Sequence, residues 1–136
     1  MSAMGTERIV SGEKTLAYVV RNDFRPGATV FVTPGDLAQQ LGFIVYPAGA
    51  SIPRHRHLPV QRTITGTTEV VMVRQGSCEA EIFDDGNQLV ATVTLYPGDV
   101  IVLAAGGHGF RMQEDTVLME VKQGPFAGVQ DKERLP

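Results

Sequence analysis

An all-β domain is the fold class that the chain predicts, and three observations carry it. Short runs of β-branched and aromatic residues recur along its length. Turn residues separate them at close spacing: Pro26-Gly27, Pro34-Gly35, Pro47 with Gly49, Pro97-Gly98, Gly106-Gly107 and Gly124-Pro125. Almost no segment repeats apolar residues at i, i+3 and i+4, as an amphipathic helix must. Many short strands joined by close turns make a sandwich or a closed barrel. With 136 residues the chain makes one domain, large enough to bury a core without staples.

In chain order, strands are expected near residues 16–21, 29–33 and 42–46, each rich in Val, Ile, Phe or Tyr and each followed by a turn. Further strands follow at 69–74, Cys78–Phe83, Leu89–Leu95, Val100–Leu103, 109–113 and Val117–Lys122. Asp84-Asp85-Gly86-Asn87 joins two of them as a hairpin, since Asp-Gly tolerates the positive φ of a type I′ turn. Only one helical turn is expected, over residues 37–40, capped by Thr33-Pro34-Gly35-Asp36. The tail 123–136 is polar and wraps or frays. Glu69 to Val73, Val100 to Leu103 and Thr29 to Val32 are apolar at both parities. Such strands are covered on both faces, either by the chain's own terminal segments or by a partner subunit in a homodimer.

Composition narrows the function classes. Hydrophobic residues make up 43% and charged residues 20%, with a net charge of −3, which excludes a disordered chain and a basic nucleic-acid binder. The single cysteine, Cys78, rules out an internal disulfide framework and fits a reducing compartment. Met1 to Glu7 has neither the basic nor the apolar region of a leader, and the uncharged stretch 37–53 is broken by Gln39, Gln40, Gly42, Pro47 and Gly49. The expectation is a cytoplasmic protein with no membrane and no nucleic-acid partner.

Histidine is the informative residue, for there are only three. His55 and His57 lie at i and i+2 in an extended segment after Pro53, so both imidazoles project to one face while Arg54 and Arg56 project away. Neutral imidazole is a good transition-metal ligand. His108 follows much later in Gly106-Gly107-His108-Gly109, and Glu69 puts a carboxylate at the head of an apolar run, where it is costly to bury unpaired.

These residues give the chain a resemblance to a small single-domain cupin. Gly49-Ala50-Ser51-Ile52-Pro53-Arg54-His55-Arg56-His57 is similar to the first part of the first cupin motif, and Glu69 to Gly76 to its last part. Tyr96-Pro97-Gly98-Asp99 through His108 resembles the second motif. The likeness covers residues 41–122, with N-terminal strands at 15–33. It implies a double-stranded β-helix, or jelly roll, holding one divalent transition metal (Fe, Mn, Ni, Co or Zn) through His55, His57, Glu69 and His108. The sequence departs from the pattern in three places. Eleven residues separate His57 from Glu69 where three or four are usual, Ala104 replaces a proline with His108 one residue early, and no asparagine follows. The long insert makes Gln61 a rival to Glu69 as the fourth ligand and is expected to form a loop at the barrel mouth.

Two functions remain open on these residues. One is a metal-dependent oxygenase or isomerase acting on a small molecule, with Glu69 as the mobile catalytic ligand; the other is a cupin that binds or senses a small molecule without chemistry. Arg62 in the insert can reach an anionic substrate, and Phe110 and Met112 share the parity of His108 and can wall a pocket. Arg54, Arg56, Arg74 and Arg111 are expected on a solvated rim. Leu118, Glu120 and Lys122 share one face; Glu120 and Lys122 are ordinarily solvent-facing, and turned inward become proton-transfer candidates.

Overall fold

A computed structural model describes residues 5–136, so the expectation drawn from Met1, Ser2, Ala3 and Met4 lies outside the described residues. Among the described residues the strands are β1 (Thr6–Ser11), β2 (Lys14–Val20), β3 (Val30–Phe31), β4 (Gly42–Phe43), β5 (Glu69–Gln75), β6 (Cys78–Phe83), β7 (Leu89–Leu95), β8 (Val100–Leu103), β9 (Gly107–Met112) and β10 (Val117–Lys122). They form three antiparallel sheets: five strands in the order β1-β2-β8-β5-β10, three in the order β7-β6-β9, and the β3-β4 pair. Across the described residues none of these sheets is closed into a barrel.

The core fills the space between the two larger sheets. Ala17, Val19, Val71, Val73, Ile101 and Leu103 point inward from one side, and Cys78, Ala80, Ile82, Val93 and Leu95 from the other. Period-two alternation puts these residues on one face of each strand. A register shift where β2 pairs with Ile9 and Val10 lets Leu16 join Ala17 in the core rather than alternate outward. On the outer face of the five-stranded sheet Tyr18, Val20 and Val102 are buried as well, whereas Val117, Met119 and Val121 on β10 are about half exposed. The both-parity apolar strands are therefore covered on both faces only in the β2–β8 half.

Turns fix the frame. Asp99, at the end of the Pro97-Gly98-Asp99 turn, is 4% exposed and gathers three donors. The Asn22 backbone N–H donates to its Oδ1 at 2.8 Å, and the Tyr96 N–H and Arg21 Nη1 donate to Oδ2 at 2.9 and 3.1 Å. The second motif-like segment thus ties β2 to the β7–β8 turn. Gly76 closes β5 at φ +83°, and a Cβ there would collide with the Asp115 carbonyl, so the motif glycine is a backbone requirement.

Several expectations are corrected. β1 forms over Thr6–Ser11, where no strand is expected from the sequence, by pairing with β2. β3 and β4 shrink to two residues each. Residues 37–40 are not helical: the Gln40 Nε2 donates to both the Pro34 and Leu37 carbonyls at 2.7 Å, taking acceptors that a helix would use. In the β6–β7 hairpin the positive φ falls on Asn87 at 61°, not on the Asp-Gly pair, and the Asp84 carboxylate accepts from the Gly86 and Gln88 N–H groups. This makes a type I turn followed by a left-handed residue, with an Asx cap. A 3₁₀ turn lies in the tail instead, over Gly128–Asp131. Among the described residues no helix is long and apolar enough to cross a membrane.

Candidate acid–base centre

Strand register builds the site. Glu69 opens β5 and pairs with Lys122 at the end of β10 on one side and with Leu103 on the other, which fixes its side chain to the inner face. Glu120, two residues before Lys122, lies on the same face. His108 comes from the opposing sheet, on β9, opposite Ile82. Across the open end between the sheets His108 Nε2 and Glu69 Oε1 stand 4.0 Å apart, with side chains 32% and 14% exposed. Glu120 and Lys122 therefore do not simply face solvent; they border this centre, with Lys122 Nζ 3.9 Å from Glu120 Oε2.

The electrostatics follow from burial. Desolvation, helped by a hydrogen bond with Glu120 and that residue's charge, pushes the Glu69 carboxyl up to about 7. Glu120 moves the other way, held below its ordinary value chiefly by that same hydrogen bond. The opposite shifts mean that the two carboxyls hold one proton between them, with Glu69 the weaker acid. Burial also lowers His108, so its ring is neutral near pH 7. A proton donor, an ionised acceptor and a neutral imidazole meet at one mouth.

The C-terminal segment crosses that mouth rather than fraying. Thr67 Oγ1 donates to Asp131 Oδ2 at 3.2 Å, and the Lys132 charge acts on Glu69, Glu120 and His108. Leu135 lies against Gly107, where a Cβ would come within 2.6 Å of its Cδ1. Gln123 fastens the start of β5 by accepting from the Thr68 N–H and donating to Thr68 Oγ1, both at 2.7 Å, and reaches Gln39 at 3.0 Å.

The other expected site residues are distributed differently. Every residue from 44 to 67 is exposed and the stretch 44–68 holds no strand or helix, so the open segment is longer than the insert alone. Pro47, Pro53 and Pro59 remove ladder donors at regular intervals along it. His55 and His57 do share a face, with ring centroids 5.3 Å apart. His55 Nδ1 lies 2.8 Å from the Pro53 carbonyl, an acceptor only, so this ring donates through Nδ1, which leaves Nε2 for another partner. Arg62 and Gln61 are exposed on the same segment.

Phe110 packs on the core and meets the His108 ring edge-on at 6.0 Å, while Met112 is 47% exposed at the far end of β9. Arg111 is exposed and paired with Glu79. The structure thus splits the expected ligand set in two: Glu69 with His108, and His55 with His57. Among the described residues no three His, Cys, Asp or Glu side chains stand close enough to hold one metal ion, so the four do not fit a metal as they are arranged. Set against known protein families, curated proteins and solved structures, the chain matches none.

Proposed function

We propose that the protein is a small-molecule enzyme of cupin type whose working centre is Glu69, Glu120 and His108, with proton transfer of the isomerase kind as its reaction class. The observation that carries this reading is geometric: Glu69 and Glu120 share one face of the β5–β10 pair, and His108 Nε2 stands 4.0 Å from Glu69 Oε1 at the open end between two sheets. Two carboxyls whose environments push their proton affinities apart divide into an acid and a base. Glu69 holds a proton that it can give near neutral pH, and Glu120 or His108 can receive one from a bound carbon or hydroxyl acid. Phe110 supplies the apolar wall. Two facing antiparallel sheets with the non-sequential neighbours β2–β8, β5–β10 and β6–β9 support a jelly-roll reading of the fold.

The test is deuterium wash-in from D₂O, followed by NMR on a panel of small carbonyl compounds and sugars, with wild type, Glu69→Gln and Glu120→Gln. Incorporation at one carbon, reduced at least ~100-fold in either variant, supports the reading. Ligand-induced thermal shifts without exchange would assign the site to binding or sensing instead. No exchange and no shift across the panel would end the proposal.

A metal-centred reading has one observation in its favour, the paired imidazoles, with the Nδ1 of His55 engaged by its own backbone and its Nε2 left for a ligand. In that reading His55 and His57 would hold a divalent transition metal on the exposed segment, which would supply Lewis acidity, and Glu69 and His108, not gathered with them here, would join only if the segment brought the pair to the mouth. Metal content of tag-free protein, compared with His55→Ala/His57→Ala and with His108→Ala, tests it. Stoichiometric metal lost in both variants supports a joint site; metal lost only with the His55/His57 pair assigns it to the exposed segment.

A further inference from the structure

We propose that β10 is a self-association edge: two copies of this chain pair their Val117–Lys122 strands antiparallel about a two-fold axis centred on Met119. The inference stands on the sheet edge alone and is independent of the chemistry assigned to the site.

β10 ends the five-stranded sheet, and among the described residues its only ladder partner is β5. Among the same residues no turn or loop hydrogen bond engages the other side of residues 117–122. The outward side chains of this strand are all apolar, Val117, Met119 and Val121 being 51%, 46% and 49% exposed. Val70 and Met72 of β5, paired with Val121 and Met119, continue the apolar surface inward until it merges with the buried Val102, Tyr18 and Val20. Unpaired apolar edges invite another strand, and sheets blunt them with charge, bulges or a cover. The opposite edge has such protection: β1 presents Glu7 and Arg8 and lies beside β7. On the small sheet, β9 carries His108, Arg111 and two glycines.

The outward apolar row and the charges beside it select both the occupant and the register. A two-fold through Met119 sets Met119 against Met119, Val117 against the partner's Val121, and Glu120 against the partner's Leu118, so no like charges meet. Centring on Glu120 would oppose two glutamates, which is destabilising in directly facing positions. Any register centred between residues would place outward side chains against inward ones. Centring on Leu118 or Val121 would set Val121 against Asp115 or Met119 against Gln123, so only the Met119 register opposes all three outward apolar residues, as a self-complementary isologous edge requires. Five residues of each strand pair in this register and bury less than the ~800 Å² per partner of a standard interface, which gives a reversible dimer with a dissociation constant on the order of micromolar.

Sedimentation equilibrium from about 1 to 500 µM tests this on the full chain. The expected result is a monomer–dimer equilibrium that Met119→Lys weakens at least ~10-fold by placing two ammonium groups at the axis. Met119→Cys keeps the strand apolar and gives a second readout. Directly opposed residues lie ~4.5–5.5 Å apart at Cα, within disulfide reach, so mild oxidation should yield a covalent dimer, while Val10→Cys on β1 should not. A wild-type chain that stays monomeric over this range would overturn the proposal. So would a dimer that Met119→Lys leaves intact and that Met119→Cys fails to cross-link.

Discussion

Replacing Glu69 with glutamine should stabilise the metal-free protein above neutral pH and leave it unchanged in mild acid. In the folded chain the carboxyl rises from its ordinary 4.5 to about 7, chiefly through burial. Below pH 4.5 both folded and unfolded chains hold the proton and the residue has no pH-linked effect. Between 4.5 and about 7 the folded chain keeps a proton that the unfolded chain has released, so stability falls as pH rises. Above about 7 the cost is complete, because Glu69 is ionised beside Glu120.

At about 1.36 kcal/mol per pH unit the full interval corresponds to about 3.4 kcal/mol. Water at the open mouth screens part of it, and the depressed Glu120, which contributes stability only when ionised, offsets more, leaving about 1–1.5 kcal/mol. The amide that Glu69→Gln introduces can still donate to Glu120 but cannot ionise. Thermal melts of both chains at half-unit pH steps from about 4 to 8.5, in chelating buffer, should diverge by about 3–5 °C at the alkaline end. Parallel curves, or a Glu69→Gln chain less stable than wild type at the alkaline end, would refute the shared proton.

Three further perturbations test the frame around the site. Ile101→Ala removes a side chain with no exposure, set between Val19 and Val71, and should cost about 3 kcal/mol by urea denaturation. Asp99→Asn turns one acceptor oxygen into a donor facing donors, and should cost about 2–4 kcal/mol, with weakened protection of the Asn22 and Tyr96 amides in hydrogen exchange. Gly76→Ala forces a left-handed alanine into the Asp115 carbonyl; a loss of at least about 2 kcal/mol is expected, and a melt indistinguishable from wild type would contradict it.

Where local pattern and tertiary context agree, the elements are readable from the chain alone. The bounds of β6, β7, β8 and β10 match the apolar runs because Ala80, Ile82, Leu95 and Ile101 fill the core from extended backbone. β1 is hidden because Glu7 and Arg8 dilute its pattern and only Ile9 is buried; pairing with β2 makes it a strand. The reverse holds at 29–33 and 42–46, where good strand formers find few partners and only Val30–Phe31 pairs with Gly42–Phe43. Propensity suggests these strands and pairing decides them.

At the centre, spacing within a strand is legible and partnership across strands is not. Glu69 and His108 stand out as a carboxylate and an imidazole in motif-like segments, and the fold brings them within 4.0 Å from opposing sheets. Glu120 sits in the sequence as one of two charges near Leu118 and Val121, a pattern that solvent explains equally well. Its role depends on the β5–β10 register, which runs Lys122 to Glu69 and Glu120 to Val71 and so turns both carboxyls to the same face. A shift of one residue would carry Glu120 to the outer face beside Val70 and Met72, remove the shared proton, and interrupt the apolar edge that β10 presents. The acid–base centre and the association surface are thus two faces of one registry, and a substitution that slips β10 should abolish both together.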